Sequence, residues 1–362
     1  MIKQLRVFIF AITTMLLTLN AWAASRYVNA DQFPLLGKVY EDSLPHYSRI
    51  PASLNDSLRK PLIEFGSNCA GLAVRFKSNT TSFTMRWRNL ANMVMGHMTP
   101  TGIRGLDLYC WDKDHWHYVN SARPTTDSIS QWSMLRNGAP EMKEYMLYLP
   151  LYDGLKTLEI GIDSLATIEQ PTMDFPKRDH PVVLYGSSIM QGGCASRPGM
   201  ASSNIISRRL NRECINLGFS GNAFLDMGIA HMMADVNASV YVMDNIPNSS
   251  VAQIHERTKE FVKILRDKNP NTPIVFIEDP QFPQSRYNQK TIQEVVKKNA
   301  AIKQEFAEMK KMGIKNIYYI QSKDITVLDG EASVDGIHFT DVAFNHYADV
   351  LTPLLGKLIK NK

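Results

Sequence analysis

Between Ala24 and Ile168 the hydrophobic positions fall in short runs: Leu72–Phe76, Ser82–Trp87, Gly105–Tyr109, Trp116–Val119, Glu144–Tyr148 and Lys156–Ile160. These runs are rich in β-branched and aromatic residues, several alternate polar with apolar, and turn residues separate them. That is the pattern of antiparallel strands, and the first half is predicted to be an all-β sandwich. After His180 the pattern changes. A continuous apolar run at Val182–Tyr185 reads as a strand buried on both faces, and further strands are read at Cys214–Leu217, Ser239–Met243, Pro273–Ile277 and Asn316–Ile320. Helical stretches alternate with them, near Ser203–Leu210, Met227–Val236, Val251–Asp267, Thr291–Met312 and Asp341–Ile359. Such alternation predicts an α/β unit of three layers, a parallel sheet between helices.

Between the two patterns the segment 169–180 carries prolines at 171 and 176 and little apolar periodicity, so it is predicted to be a linker. The expected organisation is a signal peptide at 1–23, a β-sandwich domain at 24–168, the linker at 169–180 and an α/β domain at 181–362. The signal peptide is read from a cationic start at Lys3 and Arg6, an apolar stretch from Val7 to Leu19, and Ala21-Trp22-Ala23 before the cleavage expected at Ala24. Its apolar stretch is short for a membrane span, and no cysteine lies beside the cleavage site to carry a lipid. The mature chain is therefore expected to be exported, periplasmic or extracellular, with no membrane span.

Without Lys3 and Arg6 the net charge falls from +5 to +3, too small and too scattered for a nucleic-acid partner. Four cysteines, Cys69, Cys110, Cys194 and Cys214, fall two in each predicted half. An oxidising compartment permits one bridge in each half, and buried free thiols are an equal reading.

Candidate chemistry sits at two places. The run Val182–Tyr185 is broken by Gly186-Ser187-Ser188, which puts a hydroxyl at the carboxyl end of a central strand, where open α/β sheets bind ligands. Near the C-terminus, Asp335-Gly-Ile-His338 precedes the last helix, so one short segment could supply both a base and the group that orients it. Serine, aspartate and histidine in these positions look like the two ends of one serine-hydrolase site. No His/Cys/Asp cluster has metal-ligand spacing along the chain, so neither metal nor organic cofactor is expected.

Four blocks, Tyr185–Gly199, Asn216-Leu-Gly-Phe-Ser-Gly221, Asp244-Asn-Ile-Pro-Asn248 and Asp335-Gly-Ile-His338, resemble in order and spacing the SGNH (GDSL-type) hydrolases, specifically a two-domain branch with an N-terminal β-domain. The resemblance implies a jelly-roll-like first domain and a catalytic set of Ser188, Asp335 and His338. It also implies an oxyanion hole from the backbone N–H groups of Ser188 and Gly221 and the side-chain amide of Asn248, with Asn245 as the alternative donor. Two positions depart from the family pattern. The usual Gly-Asp-Ser is Gly186-Ser187-Ser188, with Ser187 a close competitor as nucleophile, and the usual Gly-x-Asn-Asp is replaced around Asn245 and Asn248. The activity implied is hydrolysis of short-chain, acetyl first, esters on a small molecule or polysaccharide through an acyl-serine. Lipase- or thioesterase-type acyl hydrolysis and a degenerate carbohydrate-binding protein are the alternatives.

Arg197, and Arg286 with Tyr287, lie in loops expected at the mouth of this site; side chains that grip a sugar and solvated loop arginines are equal readings. His231 and His255 read as structural or solvated. The pairs Asp226/Asp235 and Glu278/Asp279 lack the environment of glycosidase carboxylates.

Overall fold

The computed structural model describes residues 25–125, 128–327 and 329–360, with the Arg286 side chain excepted. The signal segment 1–23 lies outside the described residues.

The first half folds as two antiparallel sheets. One holds, in spatial order, Ser25–Asn29, Leu155–Asp163, Phe83–Asn89 and Ser130–Leu135. The other holds Ile168–Glu169, Ala73–Ser78, Lys143–Tyr148, Leu106–Asp112 and His115–Ala122, with Leu35–Leu36 also paired to Ala73–Ser78. The period of two is visible in Phe83–Asn89, where Phe83, Met85, Trp87 and Asn89 are buried and the residues between them are not. Val74, Phe76, Leu108, Leu147 and Ile160 join them in one core between the sheets.

The second half is built on five parallel strands in the order Arg212–Gly218, Lys177–Gly186, Val240–Asp244, Ile274–Ile277, Ile317–Ile320. Alternate side chains of these strands feed two different cores. Val182, Leu184 and Val242 pack with Ile205, Ile206, Phe344 and Leu351 of the helices Ser202–Leu210 and Asp341–Lys360. Val183, Tyr185 and Tyr241 pack on the other face with Ile229, Ile254, Phe261 and Ile302, from the helices Met227–Ala234, Val251–Lys268 and Gln289–Lys311. Burial on both faces explains why Val182–Tyr185 reads as an unbroken apolar run. The first strand of the unit, Lys177–Gly186, lies between the next two, so the strand order reverses beside it and a crevice opens at its carboxyl end.

The segment 169–180 is strand at both ends. Ile168–Glu169 pairs with Ala73–Ser78, and Lys177 pairs with Arg212 ahead of an irregularity that ends at Val182. Nor are the cores of the two halves separate. Ala70, Met98, Ile103, Leu151 and Tyr152 belong to the cluster around Val182 and Leu184, and Ile50 and Leu62 to the one around Val183. All four cysteines are free thiols.

Candidate active site

The strand ends at Gly186, where only glycine fits: a Cβ there would lie 2.7 Å from that of Met190 and 2.8 Å from the Asp244 carbonyl oxygen. The chain then turns into the short helix Ser188–Gln191, and the buried Ser187 side chain caps it by accepting from the Ile189 N–H at 3.3 Å. Ser188 opens the helix with its hydroxyl facing the C-terminal loop.

There His338 Nε2 lies 2.9 Å from Ser188 Oγ, and His338 Nδ1 lies 2.7 Å from Asp335 Oδ2. The loop is fixed by its own backbone, for Asp335 Oδ1 accepts from the N–H groups of Ile337 at 3.0 Å and His338 at 2.7 Å. Partial burial pushes the Asp335 carboxyl up, but the hydrogen bonds from His338 and Ile337 outweigh it and hold the group at about 2. An ionised carboxylate thus faces Nδ1, and Nε2 faces the hydroxyl. Such a relay can draw a proton from the serine and stabilise the imidazolium that forms.

Three segments meet beside Ser188. The Phe219 N–H donates to the Gly186 carbonyl at 2.9 Å, and the Ala223 N–H donates to Asn248 Oδ1 at 3.2 Å. Gly221 adopts φ +64°, and a Cβ on it would meet nothing within 4 Å. The glycine is therefore explained by its left-handed backbone rather than by a close approach of protein atoms. Among the described residues, neither the N–H of Ser188 nor that of Gly221 nor the amide nitrogen of Asn248 donates to a protein acceptor. Asn245 differs. It is buried, its amide donates to Ser249 Oγ at 3.0 Å, and its carbonyl accepts from Asn248 and Ser249.

Other candidates are placed elsewhere. Arg197 is tied down, not free to grip a substrate: it donates to Asp107 Oδ2 at 2.7 Å and to the Tyr109 hydroxyl at 2.8 Å, and lies 3.9 Å from the Tyr118 ring centroid. The Arg286 side chain lies outside the described residues, and Tyr287 is exposed. His255 pairs with Glu305 at 2.8 Å, while His231 is exposed on its helix. Asp226 is held by Arg59, Asp235 by Lys268 and Tyr40, Glu278 by Tyr319 and Ser322, and Asp279 pairs with Lys298.

Sequence reasoning missed four residues around the relay. Gln191 donates to Asn68 Oδ1 and the Leu151 carbonyl and accepts from the Ser220 N–H. The Tyr152 hydroxyl donates to the Ser188 carbonyl at 3.3 Å. His97 and Cys194 also reach the site, His97 with its ring centroid 5.4 Å from that of His338. His97 and Tyr152 come from the first half of the chain, and no pattern along the sequence links either residue to position 188.

Residues 179–356 match the model of the GDSL-like lipase/acylhydrolase family, and residues 25–168 match the GxDLY model, the N-terminus of SGNH-hydrolase-type esterases. The five letters of the latter read here as Gly105-Leu-Asp107-Leu-Tyr109, the strand whose Asp107 and Tyr109 hold Arg197. A protein from Bacteroides ovatus described as a GDSL-like lipase is 34% identical, with a TM-score of 0.88 over 93% of this chain and 98% of its own. A salicylyl-acyltransferase from a tetracycline biosynthetic pathway shares the fold at 17% identity and a TM-score of 0.75, over 94% of this chain and 98% of its own. An acetyl xylan esterase from the rumen bacterium Butyrivibrio proteoclasticus shares it at 10% identity and a TM-score of 0.55, over 92% and 98%. No curated protein matches the sequence. Matched over nearly all its length by a relative at this identity, the chain belongs to the GDSL-like, or SGNH, lipase/acylhydrolase family, in the form that carries an N-terminal antiparallel β-domain.

Proposed function

We propose that this acylhydrolase is an exported esterase that removes short acyl groups, acetyl first, from carbohydrate through an acyl-serine on Ser188. The observation that carries the reading is the continuous relay from Asp335 through His338 to Ser188, at 2.7 and 2.9 Å. His338 takes the hydroxyl proton as Oγ attacks the ester carbonyl, and returns it to the leaving alcohol. Water then adds to the acyl-serine with His338 again as base, which releases the acid and restores the hydroxyl. The oxyanion formed in both steps is received by the N–H groups of Ser188 and Gly221 and the amide of Asn248, three donors with no protein acceptor among the described residues. Nothing in this sequence of steps requires a metal.

Acylated carbohydrate is supported by the polar loop Gln191–Gly199 beside Ser188 and by the acetyl xylan esterase that shares the fold. Export is supported by the N-terminal sequence pattern, and no helix among the described residues is long and apolar enough to cross a membrane. One observation favours the lipase-type alternative. A cavity of about 400 Å³ lies between residues 281–285 and 321–327, and Phe282, Pro283, Ile292, Val295, Val296 and Val327 line it. Its lining includes none of Ser188, Asp335 or His338, which favours the short acyl group. Acetate release from a panel of acetylated glycans, measured beside hydrolysis of long-chain esters, decides between them. Faster turnover of the long-chain esters would overturn the proposal.

A further inference from the structure

Folding brings His97, Cys194, Asp335 and His338 together so that one ligand atom from each lies within 4.8 Å of the others. We infer that these four residues form a binding site for a thiophilic divalent cation, Zn²⁺ foremost, and that an ion bound there takes His338 out of its relay with Ser188 and reversibly silences the enzyme. The second half of this inference rests on the proposed esterase reading; the first half does not.

The donor set carries the choice of ion. Two imidazoles, one thiolate and one carboxylate suit a borderline-soft cation, whereas Ca²⁺ and Mg²⁺ prefer oxygen alone. Around a tetrahedral Zn²⁺, bonds of about 2.0–2.3 Å put ligand atoms roughly 3.3–3.8 Å apart. The cluster therefore has to contract by about 1 Å between its most distant ligand atoms. His97 is also already in place: its ring is tilted 32° from that of His338, and the Cys194 thiol donates to the His97 carbonyl at 3.2 Å.

Cys194 gives independent support. It follows Gly192 and Gly193 and adopts φ +71°, a left-handed conformation that glycine enters freely and cysteine does not. A side chain held there against its backbone preference, in a loop that touches the relay, is the kind of strain found at functional sites. On binding, the thiol releases its proton to solvent and the thiolate donates to the ion. Coordination at His338 Nε2 occupies the lone pair that must accept the serine proton. Coordination at Nδ1 removes the hydrogen bond that His338 donates to Asp335. Either leaves Ser188 without a base.

The test uses the full chain and two ions. Co²⁺ added to the protein is expected to give a thiolate-to-metal charge-transfer band in the near ultraviolet. The band should persist in Ser188→Ala, weaken in His97→Gln and vanish in Cys194→Ser. Zn²⁺ is expected to inhibit hydrolysis of a short activated ester and a chelator to reverse it. Cys194→Ser and His97→Gln should each raise the half-inhibiting Zn²⁺ concentration by about 10-fold or more, read against that variant's own rate in metal-free buffer. Absence of the band, or a band unchanged in Cys194→Ser, overturns the metal site. A band with no inhibition, or inhibition indifferent to both substitutions, overturns the silencing. If the chain hydrolyses no ester at all, the esterase reading fails and the Co²⁺ band still decides the metal site.

Discussion

Ser220 donates its backbone N–H to Gln191 Oε1 at 2.9 Å, across 29 residues of sequence. Together with the bond from the Phe219 N–H to the Gly186 carbonyl, this contact ties the helix that begins with Ser188 to the turn that carries Gly221, so one amide side chain helps to set the spacing between the proposed nucleophile and the proposed oxyanion donor. The other end of that side chain is anchored in the β-domain, on Asn68 and Leu151. Gln191→Ala should lower kcat by about 10- to 100-fold with little change in KM, because a misplaced donor is felt mainly in the transition state. Equal loss in KM would assign Gln191 to substrate binding instead.

Ser188 and Ser187 are neighbours with different surroundings. Ser188→Ala should abolish hydrolysis of an activated acetate ester. Ser187→Ala removes a helix cap worth about 1 kcal/mol and should keep much of the activity, with a lower melting temperature. Steady-state rates and thermal melts of both variants check this, and the reverse order of activities would move the nucleophile to Ser187.

The parallel strands were legible because burial on both faces leaves an apolar run, and the relay because Gly186-Ser-Ser188 and Asp335-Gly-Ile-His338 each keep their residues within one turn. The chain of contacts around the relay was not legible. Arg197 looks like any loop arginine until Asp107 is seen, fully buried, accepting from both Arg197 and the Gly199 N–H. The strand Ser130–Leu135 has too little alternation to stand out, and pairs because Phe83–Asn89 offers it an edge. His97 illustrates the general limit, since its place beside His338 depends on how two separate cores join.

Asn248 and Asn245 can be separated by the kind of damage each causes. Asn248→Ala should reduce turnover by about 100- to 1000-fold while leaving KM and the melting temperature nearly unchanged. Asn245→Ala removes a buried amide whose partner is Ser249, so its main effect should be a loss of stability of about 1–3 kcal/mol. Kinetics and denaturant melts on the two variants are sufficient, and a large turnover loss confined to Asn245→Ala would exchange the roles.

Asp244 should make stability fall with rising pH. Burial pushes its carboxyl up to about 8 against the donor bond from Tyr347, and the nearby Asp279, itself raised to about 7 by burial, pushes the same way. The unfolded chain ionises Asp244 near its ordinary value, 3.8. Between about pH 4 and pH 8 the unfolded state therefore holds fewer protons than the folded one, and stability declines over that window. Asp244→Asn keeps the shape, including the backbone carbonyl that accepts from the Ser187 N–H. It should flatten that decline, with a gain on the order of a few kcal/mol at pH 9 and little at pH 4. Urea melts across the pH range measure the difference, and parallel curves for the two proteins would refute it.

A chain beginning at Pro176 should not remain folded and active. Arg49 of the β-domain is fully buried, and its guanidinium donates to the carbonyls of Asn216 and Gly218 at 3.0 and 2.8 Å, in the strand that leads to Gly221. Gly71 packs so closely on Asn216 that a Cβ there would lie 2.5 Å from the Asn216 side chain. Removing the first half strips these contacts and takes Ala70, Met98, Ile103, Leu151 and Tyr152 out of the core that they share with Val182, Leu184 and Ile189. Each large apolar side chain returned to water costs about 1.5–3 kcal/mol, and a few such losses match the whole stability of an ordinary domain. Within the full chain, Arg49→Lys should already cost about 2–4 kcal/mol, since one ammonium cannot reach all the carbonyls that the planar fork serves. Soluble yield, circular dichroism and acetate release of the shortened chain test the claim. A shortened enzyme as soluble and as active on acetylated glycan as the full chain would show that the β-domain is a tethered module and that the shared core contributes little.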